Sequence, residues 1–400
     1  MERVILHCDL NNFFASVTLL GNQTLKNLPV AVGGSKESRH GIILAKNEIA
    51  KKFGVKTAEP IHEALKKCPD LVILKPDYKQ YNLFSEKARN IYRRYTDLIE
   101  SFGIDECWLD VTGSRLLFGD GETIANKIRN DIKNELGITV SVGVSFNKVF
   151  AKLGSDYKKP DAVTVISKEN FKEIVWPMSV SDLLFVGKQT ANRLQSSGIF
   201  TIGDLAAADE KTLMRMLGKN GKDIKNYACG LDASPVTSDS AKHVPKSVGR
   251  SVTLSSDITT PEQVWKVFLE LAEDIAATLK DSGLSALGIT VHTRTNTLQV
   301  QEFSQSYSNS TSVAIEIAKR GMELFEKSYL WDLPLRSVGI RAIHLVPFDS
   351  AKQCDMFGEW EENKKNEEID QKVYNIRKKF GDASIVRGTV LNSNLNKKKK

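Results

Sequence analysis

Residues 100–111 read ESFGIDECWLDV, where two short apolar segments lie on either side of Gly103 and of the adjacent acids Asp105 and Glu106. This pattern predicts a strand, a turn near Gly103 and a second strand. Neighbouring side chains of a regular strand point to opposite faces of a sheet. At a hairpin turn, by contrast, both carboxylates can reach one point.

A third acid, Asp9, ends the run VILHC at residues 4–8, whose apolar and β-branched composition predicts a buried strand. Only a fold can bring Asp9 to Asp105 and Glu106. Clustered carboxylates need a cation to neutralise them, and hard oxygen ligands suit Mg²⁺ together with substrate phosphates. The three acids therefore predict a two-metal phosphoryl-transfer site. On the alternative interpretation, Asp9 caps a helix and the other two acids are solvated turn residues.

The composition is that of a globular protein. The chain has 400 residues, of which 41% are hydrophobic and 26% charged, and this length predicts roughly two to four domains. The formal net charge of +7 is compatible with a polyanionic partner. The five cysteines of the chain are scattered along the sequence, so we expect neither a zinc site nor a disulfide framework. Such a cysteine pattern is typical of a protein in a reducing compartment. We predict no signal peptide and no transmembrane segment, and hence a cytoplasmic protein.

Hydrophobic periodicity divides the chain into segments of different character. Residues 1–165 mix strands with helices, which predicts an α+β or α/β domain with the acids at its strand ends. The polar, proline-containing segment 234–246 predicts a linker, and residues 247–347 a second α/β unit. Beyond Pro347 we expect disorder apart from a helix over residues 369–380. Other predicted elements are helices over 81–95, 123–136, 261–282 and 312–329, and strands over 247–254, 286–294, 298–303 and 336–346.

Residues 180–205 contain three short helical segments separated by turns. The first turn contains Gly187, the second helix ends at Gly198 and the third helix begins after Thr201. This order resembles the helix-hairpin-helix module, whose turn offers backbone N–H groups to a DNA phosphate. Lys188 replaces the usual second glycine of that turn and can serve a phosphate as a point charge. The alternative is a helical linker domain.

Four ordered motifs resemble those of the Y-family (translesion) DNA polymerases, and most of all the bacterial DinB-type branch. They are DLNNFFASV at 9–17, GIDECWLD at 103–110, GVSFNKVFAK at 143–152 with its continuation to Pro160, and KSVGR at 246–250. The resemblance covers residues 1 to about 347 and implies an α+β multidomain polymerase shaped like a right hand. It implies a palm at 1–10 and 76–165, small fingers at 11–75, a helical thumb with the helix-hairpin-helix at 166–233, the linker at 234–246, an α/β little finger at 247–347, and a tail at 348–400.

This resemblance also implies the catalytic residues. Asp9, Asp105 and Glu106 match the family's metal ligands, with the backbone carbonyl of Leu10 as a further one. Two Mg²⁺ ions per active site are expected, one to activate the primer 3′-OH and one to hold the incoming triphosphate. Asp110 is also acidic, but we expect it to be structural.

Several residues match nucleotide-binding positions of the family. Phe14 falls at the steric gate, a ring that excludes a ribose 2′-OH by its volume, and Phe13 would back the sugar and triphosphate. Lys51 and Lys159 would stabilise the charge of the triphosphate, which grows in the transition state. On the alternative interpretation Phe14 is simply a core residue. One departure is Glu48, which stands where the family often has Tyr. A carboxylate there would repel a triphosphate, so we expect Glu48 to turn away or to pair with Lys51 or Lys52.

The loop 33–40, with Ile42 and Leu44, would form a roof over the nascent base pair. Because the fingers are small, this roof checks the shape of the pair loosely, which implies tolerance of damaged templates and a high error rate. The chain offers no second acidic cluster for a proofreading exonuclease.

Partners follow from the same resemblance. The DNA contacts are expected at Gly187, Lys188, Lys246 and Arg250. In the tail, QCDMF at residues 353–357 resembles the Q-x-x-(L/M)-F peptide that binds the sliding clamp (the β subunit), with Gln353, Met356 and Phe357 as its anchors. We therefore expect primer–template DNA, dNTPs and the clamp as partners of a monomeric protein without membrane contact.

The leading hypothesis is an error-prone, template-directed DNA polymerase of the bacterial cytoplasm that extends primers past damaged bases. One rival is a nucleotidyl cyclase, which would have no use for a helix-hairpin-helix, a little finger or a clamp peptide. A second is a DNA-binding accessory protein with a weakened active site, and Glu48 is the one feature that favours it. Within the family, the UmuC-type subunit of polymerase V is the runner-up.

Overall fold

The computed structural model describes residues 2–34, 41–238, 244–348, 350 and 359–390. The chain divides into two compact units, Met1–Lys242 and His243–Lys400. The division falls inside the segment 234–246 that the sequence predicts as a linker. As predicted, both units combine sheets with helices.

The strands form three sheets in the described part of the chain. They are β1 (Ile5–Leu10), β2 (Val30–Gly33), β3 (Ile43–Lys46), β4 (Val72–Leu74), β5 (Ile99–Ser101), β6 (Glu106–Asp110), β7 (Val140–Ser145), β8 (Val163–Ile166), β9 (Ser247–Ile258), β10 (Leu284–Thr295), β11 (Val300–Thr311) and β12 (Leu335–Pro347).

The helices surround these sheets. They are α1 (Phe13–Leu20), α2 (Glu48–Lys52), α3 (Ile61–Lys67), α4 (Tyr78–Tyr92), α5 (Arg115–Phe118), α6 (Gly121–Asp131), α7 (Lys148–Tyr157), α8 (Phe171–Val175), α9 (Lys188–Gln195), α10 (Ile202–Ala207), α11 (Glu210–Leu217), α12 (Lys219–Ala228), α13 (Pro261–Asp281), α14 (Ala314–Ser328) and α15 (Glu359–Phe380). Among the residues that the structure describes, no helix is both long enough and apolar enough to span a membrane.

Local capping explains why two helices differ from the predicted bounds. The side chain of Asp77 accepts hydrogen bonds from the backbone N–H groups of Lys79 and Gln80, so α4 begins at Tyr78 rather than at residue 81. In the same way Asp120 caps α6, which ends at Asp131 and continues as one π-helical stretch, Ile132–Leu136.

The larger sheet of the first unit has the strand order β5-β6-β1-β7-β8. Strand β1 lies in its centre between two antiparallel neighbours, and all six of its residues are buried, which explains its apolar sequence. Helix α7 packs against β1 and β7. At Gly143 a Cβ atom would lie only 1.9 Å from the carbonyl oxygen of Ala151, so this close approach of α7 requires glycine. The approach places α7 beside the end of β1 that carries Asp9.

The smaller sheet of the first unit has the order β3-β2-β4. Strands β2 and β3 pair antiparallel, while β2 and β4 run parallel. Helices α8 to α12 form a helical region whose apolar core includes Leu194 and Leu213 and is continuous with Phe150 of α7. In the described residues of the predicted linker, Val236 is buried against Ile5 and Trp108, so that part of the segment is packed rather than free.

The second unit is an antiparallel sheet of order β11-β10-β12-β9, with α13 and α14 packed against its apolar face. Phe268 of α13 and Phe325 of α14 are fully buried there. Strands β9 and β11 are longer than predicted, because their C-terminal parts are polar and half-exposed and lack an apolar pattern.

The predicted helix over residues 369–380 is confirmed as part of α15. The expected disorder is wrong for residues 359–368, which extend that helix, and for residues 381–390, which include two short 3₁₀ turns. Glu273 of α13 binds Arg377 at 3.0 Å and Arg387 at 2.7 Å, and Lys280 of α13 pairs with Asp370. Val386 packs against the core of the second unit. The charged composition that suggested disorder therefore includes the ion pairs that hold this segment to α13.

Candidate active site

The register of the sheet brings the three predicted acids together at one end of the neighbouring strands β1 and β6. Asp9 of β1 lies directly opposite Glu106 of β6, and the backbone N–H of Leu10 donates to the carbonyl of Asp105 at 3.1 Å. On the other side of β1, Asp9 lies opposite Ser141 of β7. Two carboxylates therefore project from paired strand ends, and the third directly precedes β6.

Two lysines neutralise these acids. The Nζ atom of Lys152, on α7, lies 2.8 Å from Glu106 Oε2 and 3.4 Å from Asp9 Oδ2. That of Lys159 lies 2.6 Å from Asp9 Oδ2. Both lysines also contact Asp156, at 3.2 and 2.7 Å respectively. The acids and lysines thus form one connected ionic network.

A buried histidine lies beneath Glu106. His7 is completely buried on β1, and its Nε2 atom lies 3.2 Å from Glu106 Oε2. Its Nδ1 atom lies 2.8 Å from the hydroxyl of Ser155 on α7, and its ring packs edge-on against Trp108. Burial lowers the pKa of His7, so the ring is neutral at pH 7. The contact with Glu106 is close but poorly directed, and Glu106 Oε2 is a buried oxygen without a well-aligned hydrogen bond.

The network separates the pKa values of the adjacent acids. Burial, reinforced by the charges of Asp9 and Glu106, raises the pKa of Asp105 to about 6. Burial would also raise the pKa of Glu106, but His7 and Lys152 outweigh that effect and lower it to about 2. One carboxylate is therefore firmly ionised, whereas the charge of its neighbour is poorly compensated.

Both lysines remain charged despite their partial burial. Burial would lower the pKa of Lys152, but Asp156, Glu106 and Asp9 outweigh it and raise that pKa. The pKa of Lys159 is likewise raised against the effect of burial, chiefly by Asp9 and Asp156.

In the described part of the chain, no three His, Cys, Asp or Glu side chains lie close enough together to hold a metal ion. At this edge of the sheet the reason is that lysine ammonium groups lie against Asp9 and Glu106. The donor set still fits Mg²⁺, because it consists of hard carboxylate oxygens. The raised pKa of Asp105 indicates negative charge that a cation would stabilise.

The predicted gate residues lie at the start of α1. Phe14 is half-buried, and its ring stacks on Tyr81 at 4.2 Å between ring centroids, with an interplanar angle of 12°. Phe13 is only 2% exposed and belongs to the core, 5.8 Å from Phe14 between centroids. So little exposed surface makes Phe13 a support for Phe14 rather than a large contact surface for a nucleotide.

Glu48 is paired, as the sequence led us to expect. Its Oε1 atom accepts a hydrogen bond from the side-chain amide of Asn12 at 2.9 Å and lies 3.7 Å from Lys51 Nζ. Asn12 adopts a left-handed backbone conformation, with φ of 48°, immediately before α1. Lys51 is half-exposed on α2, where it contacts Glu48 rather than the acidic network.

The predicted roof residues share one face of the smaller sheet. Ile42 directly precedes β3 and is 40% exposed, and Leu44, two residues further, is partly buried. Ile43 between them points to the other face and is fully buried. Residues 35–40 of the predicted roof loop lie outside the described residues.

The predicted DNA contacts are exposed. Gly187 precedes the first residue of α9, which is Lys188, and both are exposed at the turn before that helix. In the second unit Lys246 is exposed just before β9, and Arg250 on β9 binds the hydroxyl of Thr278 at 3.1 Å. The predicted clamp anchors Gln353, Met356 and Phe357 lie outside the described residues.

Sequence reasoning missed Lys152 and His7 as members of the site. A signal for Lys152 was present, since Lys152 and Asp156 lie four residues apart on one face of a helix, which is a typical ion-pair spacing. His7 precedes Asp9 by two residues, so both side chains lie on the same face of β1.

The comparisons with known proteins agree with this fold. The impB/mucB/samB family matches residues 8–156, and its C-terminal domain matches residues 245–356. DNA polymerase IV of Acetivibrio thermocellus is 48% identical over 98% of each chain, and that of Clostridium kluyveri is 36% identical over 99% of this chain and all of its own. DNA polymerase IV 1 of Bacillus subtilis is 36% identical over the whole of this chain and 95% of its own.

Among solved structures, the Y-family DNA polymerase chimera Dbh-Dpo4(243-245)-Dbh superposes with a TM-score of 0.77 at 24% identity. The match covers 86% of this chain and 99% of the chimera, and it confirms the predicted α+β multidomain polymerase fold.

The chain belongs to the Y family of DNA polymerases. It is a DNA-directed DNA polymerase that copies a DNA template from dNTPs, and the similar full-length proteins from three bacteria are all named DNA polymerase IV. Membership of this family implies dependence on divalent metal ions.

Proposed function

We propose that the site formed by Asp9, Asp105 and Glu106 performs error-prone translesion synthesis by two-metal-ion nucleotidyl transfer. The observation that carries this proposal is the register of β1 against β6, which places Asp9 opposite Glu106 beside Asp105. Side-chain oxygens of these acids, with the backbone carbonyl of Leu10, would hold two Mg²⁺ ions. When bound, the ions supply charge stabilisation to the attacking and leaving oxygens of an in-line displacement.

In the reaction, the primer 3′-OH gives up its proton to water and its oxygen forms a bond to the α-phosphorus of the dNTP, while the bond from that phosphorus to the bridging oxygen of the β-phosphate breaks. Pyrophosphate leaves with the bonding electrons. Lys159, whose ammonium group binds Asp9 at 2.6 Å, would stabilise the leaving group as its negative charge grows. Lys51 would contact the same triphosphate, as a point charge rather than a bidentate donor.

Substrate choice is assigned to the elements around α1. Phe14, held by its stack on Tyr81, would lie beneath the sugar and exclude a ribose 2′-OH, while Phe13 supports it from the core. Ile42 and Leu44 would contact the nascent base pair. A roof of two apolar side chains checks base-pair shape loosely, which supports bypass of damaged bases without proofreading.

The DNA is proposed to contact exposed groups in both units, Gly187 and Lys188 in the first and Lys246 and Arg250 in the second. In the domain nomenclature of right-hand polymerases, we assign residues 1–10 and 76–165 to the palm, 11–75 to the fingers, 166–233 to the thumb and 247–347 to the little finger. The peptide with Gln353, Met356 and Phe357 would bind the sliding clamp. We propose a monomer of the bacterial cytoplasm.

Primer extension tests the reaction. Purified protein would receive Mg²⁺ and each dNTP separately, on an undamaged and on an abasic template, beside Glu106→Ala. Templated but error-prone incorporation that disappears in the variant, with primer–template binding retained, supports the site. An inactive wild-type protein that still binds DNA would instead favour an accessory protein, and equal loss of DNA binding in the variant would indicate misfolding.

Clamp recruitment is tested separately. Deletion of residues 353–357 is expected to abolish stimulation by the clamp without changing synthesis in its absence. Lys352→Ala, just outside the peptide, is the matched control. Stimulation that persists after the deletion would show that another segment makes the contact.

A further inference from the structure

The loop that follows α7 contains Lys159, Pro160 and Asp161 and leads directly into β8. Asp161 has a φ of 54°, in the left-handed region that residues other than glycine rarely adopt. A backbone held in that region costs free energy unless the surroundings enforce it. The loop therefore needs partners that hold its shape, and the structure shows them.

The first partner is Asn11, which is only 4% exposed at the end of β1. Its side-chain oxygen accepts a hydrogen bond from the backbone N–H of Asp161 at 2.9 Å. Its side-chain amide donates to the hydroxyl of Ser141 on β7 at 2.8 Å. Asn11 thus links the loop to the two central strands of the sheet through a fully bonded, buried amide.

The second partner is Arg129 on α6. It donates to the carbonyl oxygen of Asp161 at 2.9 Å and lies 3.7 Å from Asp161 Oδ1. Lys133 adds an ion pair to Asp161 Oδ2 at 2.9 Å, but it is more than half exposed and contributes less. Asp161 is therefore held from the strand side by Asn11 and from the helix side by Arg129.

We infer that Asn11 is a positioning residue for the nucleotide, acting through Lys159. Asn11 and Asp9 leave the same strand end, two residues apart, and Lys159 Nζ lies 2.6 Å from Asp9 Oδ2. The bond from Asn11 to Asp161 thus sets the separation between a metal-binding carboxylate and the triphosphate-binding lysine. Arg129 holds the same loop from a position remote from the acids.

This inference rests on the proposed contact of Lys159 with the triphosphate, and a double-mutant cycle separates the two claims. Binding of dNTP would be measured by calorimetry on the enzyme with primer–template, a dideoxy-terminated primer and Ca²⁺. Lys159→Met is expected to weaken dNTP binding about tenfold, and Asn11→Ala several-fold, because a loosened loop no longer presents the lysine. In the Lys159→Met background, Asn11→Ala should change the Kd by less than about twofold.

Asn170→Ala is the matched control. Asn170 likewise accepts a backbone N–H, from Ser167 at 2.8 Å, just beyond the other end of β8. Its substitution should lower thermal stability as Asn11→Ala does, yet leave dNTP binding within about twofold. Arg129→Met is the second test if Asn11→Ala does not fold, and it should weaken dNTP binding in the same Lys159-dependent way.

The outcomes are distinct. If Asn11→Ala weakens dNTP binding equally in the wild-type and in the Lys159→Met background, the inference is overturned while the role of Lys159 stays intact. An unchanged Kd in Lys159→Met would overturn both the triphosphate contact and the inference built on it. Weakening by Asn170→Ala to the same degree would show a general effect of stability, and would also overturn it.

Discussion

The ammonium group of Lys152 lies 2.8 Å from the carboxylate of Glu106, inside the space where the two strand-end acids converge. Lys152 and Glu106 are both largely buried, so the pair compensates charge that is only weakly screened by water. A cation that binds these acids must displace the lysine. Lys152 therefore serves as an internal counter-ion of Glu106.

Lys152→Met is expected to destabilise the metal-free protein by about 2 kcal/mol, because it leaves Glu106 buried without its cation. Saturating Mg²⁺ should stabilise the variant more than it stabilises the wild type, since the ion no longer competes with a lysine. Thermal unfolding in EDTA and across a Mg²⁺ titration measures both effects. Arg94→Met, which removes an exposed ion pair with Glu135, is the control and should leave the metal response unchanged. A wild-type metal response in Lys152→Met would contradict the counter-ion role.

Asp105→Asn is expected to change the dependence of stability on pH. The pKa of Asp105 is raised to about 6, above the value of about 3.9 for an unfolded chain. Between these values the folded state binds more protons than the unfolded state, so stability falls as pH rises. In EDTA at pH 7.5 the variant should therefore exceed the wild type by about 1 to 3 kcal/mol, and the difference should vanish near pH 4. Denaturant unfolding at the two pH values measures this difference in the free energy of unfolding. If the difference between the variant and the wild type is the same at both pH values, the raised pKa of Asp105 is refuted.

Phe14→Ala is expected to admit ribonucleotides, because it removes the ring that Tyr81 holds in place. Single-nucleotide incorporation of dNTP and NTP gives the ratio of kcat/KM, which should fall by at least about tenfold. Phe268→Leu is the matched control, since Phe268 is fully buried in the core of the second unit and its substitution should cost stability without changing the ratio. Undiminished sugar discrimination in Phe14→Ala would reject the gate.

Glu273→Ala is expected to release residues 365–390 from the second unit. It leaves Arg377 and Arg387 without their shared carboxylate, at a cost of about 2 kcal/mol in docking. Hydrogen exchange of the α15 backbone should accelerate, while exchange in β10 and β12 stays slow. Glu302→Ala, which removes an exposed ion pair with Arg341, is the control. If the backbone amides of α15 exchange as slowly in the variant as in the wild type, the apolar contacts of α15 are sufficient to hold it on the second unit.

Local patterns were sufficient to predict the elements that carry the acids. The apolar run before Asp9 predicted β1, and Gly103 between two short apolar segments predicted the turn before β6. In the tail the same patterns predicted only the helix over residues 369–380, because a segment rich in Lys and Glu looks solvated unless its partners are known. Those partners, Glu273 and Lys280, lie about a hundred residues earlier, a separation that no periodicity spans.

The sequence by itself determined the strand ends that bear carboxylates, the order of the family motifs and hence the class of chemistry. Only the tertiary structure decided which groups neutralise those carboxylates. Lys152 reaches Glu106 because α7 packs against β7 closely enough to require Gly143, and Asn11 holds Asp161 because β1 and β8 lie in one sheet. The physical reason is that side-chain period is a local property of the backbone, whereas charge compensation and buried hydrogen bonds depend on distances of a few ångströms between residues far apart in the chain.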